Sequence, residues 1–192
     1  MKTITKETTV YKFSELNEEA KEKAIENLYD INVDTEFWHE CVIDNFKEDM
    51  EKIGFQVDKV YFSGFSSQGD GACFEGKMID LRLFLLKHKM GNKFRKFLNY
   101  SNDMGISTEH RGHYYHEMCM IVTVSDYALL YSISQERFDS FEEWITETLR
   151  DYARGVYKQL EKEYDYLTSA KVIEETIEAN DYDFTEDGKL YY

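Results

Sequence analysis

The stretch VYFSGFSSQGDGACFEG, residues 60–76, decides how the chain is to be read. Residues 55–62 before its glycines are rich in β-branched and aromatic side chains. After them Ala72, Phe74, Gly76 and Met78 alternate with Cys73, Glu75, Lys77 and Ile79, the two-residue period of a strand. Between the two runs, Gly64, Gly69 and Gly71 alternate with Ser63, Ser66, Ser67, Gln68 and Asp70, the residue types of a tight connection. The segment is therefore expected to be an antiparallel hairpin with a long polar loop.

Working outward, residues 7–12 suit a short strand. Ser14 or Asn17 can cap a helix to about residue 30, with Ala20, Ala24 and Leu28 on one face. Asp34 can cap a second helix with an apolar row of Trp38, Val42, Phe46, Met50 and Ile53. Asp80 opens a third over LRLFLLKHKM, and NKFRKFLNY continues as a fourth. Residues 106–111 and 113–125 read as strands on either side of Gly112. Asp139 and Glu142 form a capping-box pattern for a long helix to about residue 166, whose seam is Phe141, Ile145, Leu149, Tyr152, Val156 and Leu160. Thr168 or Ser169 can cap a last helix, and Asp187-Gly188 marks a turn. The expectation is one α+β domain over residues 1–192, with a mainly antiparallel sheet of about four strands packed against several helices. One helix in the C-terminal half is long.

Composition limits function. An apolar content of 42% with 16% aromatics excludes global disorder. Three cysteines, no signal-like N-terminus and no long apolar run predict a reduced, soluble protein inside the cell, away from membranes. The net charge is −15 and is unevenly spread. Residues 1–60 hold 15 acids and 8 bases, residues 61–135 hold 7 and 8, and residues 136–192 hold 16 and 7. Such a chain repels nucleic acid at long range and suits a partner with a basic surface.

Three constellations could carry chemistry. The loop fits neither the phosphate-binding G-x-x-x-x-G-K-[ST] pattern nor the G-x-S-x-G nucleophile elbow. Gly69-Asp70-Gly71 could adopt positive φ and offer a backbone nest to an anion, or the loop could simply bond its own backbone through Ser63, Ser66, Ser67 and Asp70. His110, His113 and His116, followed by Cys119, recur every three residues. On a strand that spacing alternates faces, and no CxxC or HExxH pattern accompanies it, so neither a metal nor a cofactor is expected. A small enzyme or anion-binding protein built on the loop and a His110–His116 strand requires Ser67, Asp70 and His113 or His116 to converge in one pocket. The third constellation is the acidic pole of Glu174, Glu175, Glu178, Asp181, Asp183, Glu186 and Asp187, a candidate contact for a basic partner. The one dense basic run, with Lys87, Lys89, Lys93, Arg95 and Lys96, reads as a solvated face or an internal counter-charge.

The blocks KFSELNEEAKEKAIENL, FSGFSSQGDGACFEG, RGHYYHE and EYDYLTSAKVIEETIEANDYDFTEDG together resemble a family of largely uncharacterised bacteriophage and prophage accessory proteins. The resemblance implies an acidic protein acting in the cytoplasm of a bacterial host. By analogy it inhibits a host protein, such as a CRISPR or restriction nuclease, without touching nucleic acid itself. It supplies no catalytic residue.

Overall fold

A computed structural model describes residues 7–35, 37–101, 104–125 and 133–191. They are arranged as β1 (Tyr11–Lys12), α1 (Glu18–Asn27), α2 (Glu40–Lys52), β2 (Phe55–Phe62), β3 (Ala72–Met78), α3 (Leu81–Lys87), β4 (Gly105–His110), β5 (Met120–Ser125), α4 (Gln135–Leu167), α5 (Ala170–Ala179) and β6 (Asp183–Phe184), with three short 3₁₀ turns. The fold is α+β, as the alternation and helical seams predict. The chain divides into two compact units, one of residues 40–161 and the other of residues 1–39 with 162–192.

The unit of residues 40–161 is built on an antiparallel sheet of order β2-β3-β4-β5. The hairpin expected from the opening stretch pairs Phe55 with Met78 and Phe62 with Ala72, with a bulge between Val57 and Lys59. Phe74 lies wholly buried between Phe46 of α2 and Phe55 of β2 in edge-to-face contact. Burial of one such ring stabilises by roughly 1.5–3 kcal/mol. Phe141, Ile145, Leu149, Val156 and Leu160 of the α4 seam are buried as the period requires. Tyr152, half-buried, instead spends its hydroxyl on His88 Nε2, 3.1 Å away.

Four local expectations need correction. Residues 95–100 form a 3₁₀ turn, because Phe94 and Phe97 are both buried and a three-residue step matches three residues per turn. Helix α2 starts at Glu40, well beyond Asp34. Helix α4 starts at Gln135, because the Ser134 carbonyl already accepts from the amides of Arg137 and Phe138. Asp139 is therefore inside the helix, where it accepts from Gln135 Nε2. At 33 residues α4 is about 50 Å long. The fourth correction concerns the histidines. Pairing of β4 with β5 ends at His110–Met120, and Gly112 turns the chain back with φ +109°. The Arg111 amide then bonds the Cys119 carbonyl, so residues 111–119 are a closed loop and not a strand.

The second unit joins both ends of the chain. β1 pairs antiparallel with β6, and Phe13, Leu16, Ala20, Ala24, Ile173, Ile177 and Phe184 form its core. Asn17 caps α1 by accepting from the Ala20 amide, as expected. Ser169 sits at the start of α5 without capping it, its hydroxyl donating back to Tyr166.

Candidate binding cleft

The hairpin loop is closed at its base by the Ser63 amide bonding Gly71 O, 3.1 Å. Inside that ring, the Ser66 and Ser67 amides both donate to Asp70 Oδ2, at 3.0 and 2.6 Å. These bonds, that from Ser67 foremost, hold the Asp70 carboxyl below its ordinary range. Of the two alternatives for this loop, an anion nest at Gly69-Asp70-Gly71 or a loop that bonds its own backbone, the structure has the second. Neither glycine has positive φ, the Gly69 and Asp70 amides both donate to Ser67 O, and the Ser66 and Ser67 amides go to the loop's own carboxylate. Both bonds fall on Oδ2, leaving Oδ1 without a backbone donor. Ser63 Oγ is buried without a hydrogen bond of ordinary geometry, though it lies near enough to favour the charged Asp70. Tyr157 of α4 donates to Gly64 O at 2.9 Å and stacks its ring near Phe65, tethering the loop to the helix.

Residues 111–119 form the facing wall. Their approach is close at two glycines: a Cβ on Gly69 would stand 3.3 Å from the Tyr114 ring, and one on Gly71 would stand 3.0 Å from His116 Cα. Tyr115 stacks on Tyr61 at 5.4 Å, and His110 Nε2 bonds Tyr114 O. Glu75 accepts from the Tyr61 hydroxyl and the His110 amide, joining this wall to β3. His116 Nδ1 lies 3.2 Å from the Met118 amide and 3.0 Å from Glu117 Oε2. It can accept from the first when neutral or donate to the second when protonated. Glu117 is in turn 3.4 Å from Arg154, which also binds Glu147 and Asp151.

Between the walls is an open cleft of about 710 Å³. Ser63, Ser67, Gln68 and Asp70 line one side, and His113, Tyr114, Tyr115, His116, Met118 and Cys119 the other. The convergence required of Ser67, Asp70, His113 and His116 is therefore present. Ser66 and His110 lie outside the lining and act through the backbone and the rings. The sequence reading missed Tyr114, Tyr115 and Met118, which are exposed despite their apolar bodies. Large apolar side chains set among polar loop residues were the available signal. Among the described residues no group of three His, Cys, Asp or Glu could hold a metal ion. None of their helices is long and apolar enough to cross a membrane.

The acidic pole is less uniform than its composition suggests. Lys12 bridges Asp181 and Asp183 at 3.0 and 2.9 Å, Lys189 holds Asp187 at 2.7 Å, and Lys171 lies 3.7 Å from Glu175. Glu174, Glu178 and Glu186 are exposed and, among the described residues, make no ion pair.

An α+β protein with an open cleft between a hairpin loop and a histidine-rich loop is thus defined. The chain belongs to the family described as Domain of unknown function (DUF8835), whose model matches residues 38–170. Both walls of the cleft lie inside the matched segment, and the acidic residues from Glu174 to Asp187 lie outside it. No curated protein and no solved structure matches the chain.

Proposed function

We propose that the protein is a binding protein whose cleft receives a cationic, hydrogen-bond-donating group, such as the guanidinium or ammonium of a partner. One observation carries this: a carboxylate held in its charged form, Asp70, lines the same cleft as two exposed tyrosines, Tyr114 and Tyr115. A carboxylate with aromatic rings is a recognition set for organic cations. The net charge of −15 would raise the local concentration of such a group around the protein. A host bacterial protein with a basic surface, a defence nuclease in the reading implied by the phage-protein resemblance, would present these groups. The exposed carboxylates of Glu174 and Glu178 on α5 are a separate candidate contact for a basic surface.

Nuclear magnetic resonance titration with Nα-acetylarginine amide tests the cleft. Saturable shifts are expected at the amides of residues 67–70 and 113–118. They should be lost in Asp70→Asn and in Tyr114→Ala; Tyr114 is 61% exposed, so that change spares the core. The variant Glu174→Gln/Glu178→Gln should bind unchanged. Shifts that never saturate, or that persist in Tyr114→Ala, would overturn the reading.

A further inference from the structure

A second concavity, of about 450 Å³, lies where the 3₁₀ turn of residues 95–100 meets the start of α4. Lys93, Arg95, Lys96 and Arg137 line it together with Asn92 and Ser140, and among the described residues no carboxylate does. In a chain of net charge −15, clustered cations would be expected to find acidic partners. These do not: among the described residues, none of the four cations forms an ion pair, and Lys93 only approaches the Phe94 ring, 4.9 Å away. Of the two readings of the basic run, a solvated face or an internal counter-charge, the exposure of Lys93, Arg95, Lys96 and Arg137 fits the first. Lys87 and Lys89 of the same run stay outside the concavity.

The scaffold beneath is apolar and packed ring on ring. Phe94 and Phe97 are buried against Phe141 and Trp144, with the Phe97 and Phe141 rings stacked at 4.1 Å. Burying these two rings fixes the intervening Arg95 and Lys96 on the outer side of the turn. Arg137 and Ser140 come from the first turns of a 33-residue helix, whose N-terminal end carries partial positive charge and adds to the field.

We infer that this concavity binds a small phosphate-bearing molecule with at least two negative charges. Four cations exceed what a single carboxylate can use, whereas a di- or polyphosphate offers many acceptor oxygens to guanidinium, ammonium, hydroxyl and amide donors. The volume exceeds that of a bare anion and leaves room for a second phosphate or an organic body.

Calorimetric titration with inorganic pyrophosphate tests the inference, with a single-stranded oligonucleotide as a second arm. Pyrophosphate should bind the full chain saturably at one site and weaken with added salt. Lys96→Gln and Arg137→Gln should each weaken it by about tenfold. Both side chains are exposed, so the variants should retain the wild-type amide spectrum. Tyr114→Ala should bind pyrophosphate like wild type, which separates this site from the cleft. Absence of saturable binding, or wild-type affinity in both variants, would overturn the proposal. So would oligonucleotide binding that is tighter than pyrophosphate binding and grows with strand length, since the patch would then be a nucleic-acid contact.

Discussion

Gly71 and His116 meet so closely that a Cβ on the glycine would stand 3.0 Å from the His116 Cα and 3.1 Å from its Cδ2. Ordinary carbon contacts lie at about 3.5–4.0 Å. Backbone on both sides must yield to any larger residue, so Gly71→Ala should push the two walls of the cleft apart. A loss of about 1–3 kcal/mol is expected in urea unfolding, together with weaker binding of the arginine probe. Unchanged stability and binding would show that the walls are held by other contacts.

Gly155 is the opposite case. It lies inside α4 with nothing within 4 Å of an added Cβ. Gly155→Ala should stabilise by about 0.5–1 kcal/mol through backbone entropy alone, measured in the same urea series.

Cys73 is fully buried, and burial, with lesser contributions from Cys119 and Glu75, pushes its thiol up from 9.0 to about 12. Below its ordinary value both folded and unfolded states keep the proton. Above it the unfolded chain ionises first, so stability should fall as pH rises from 9.0 towards 12. Cys73→Ala should flatten that decline. At neutral pH a thiol reagent should label the exposed Cys41 readily and Cys73 only on unfolding.

Asp70 works in the other direction. Its carboxyl is lowered from an ordinary 3.8 by the Ser67 and Ser66 amides, so its contribution to the loop is complete above 3.8 and is lost as pH falls through the lowered value. The Ser66 and Ser67 amide resonances should report that transition. Asp70→Asn should abolish the titration at both amides.

Thr108 is 2% exposed in β4, and among the described residues its hydroxyl has no hydrogen-bond partner. Thr108→Val keeps the shape and removes the desolvated group. A gain of about 1 kcal/mol is expected in denaturant unfolding. A loss instead would reveal a water bound to the hydroxyl.

The hairpin and the seam of α4 were legible because each rests on a local period: two residues for β2 and β3, three to four for Phe141 through Leu160. The cleft was legible by halves. Serines, glycines and Asp70 marked the loop, yet whether its amides stood open or were bonded by Asp70 depended on a turn conformation that composition leaves undetermined. His113 and His116 looked like strand residues because the polar and aromatic positions around them alternate. The reversal at Gly112 depends on the bond between Arg111 and Cys119, which is set by the packing of that loop. Lys12 binding Asp181, 169 positions away, follows from tertiary pairing and has no sequence signature.

The pairing of β1 with β6 has a consequence for biosynthesis. Residues 40–161 form a contiguous unit and can complete their sheet and core while the rest of the chain is still being made. Residues 11–27 cannot do the same, because Phe13, Ala20 and Ala24 bury against Ile173, Ile177 and Phe184, which are translated long after them. A ribosome-bound chain therefore carries an unfinished apolar surface at its leading end until residues beyond 184 emerge. That interval is when a chaperone would have most to hold, and when a truncation at the C-terminus would do the most damage to the N-terminus.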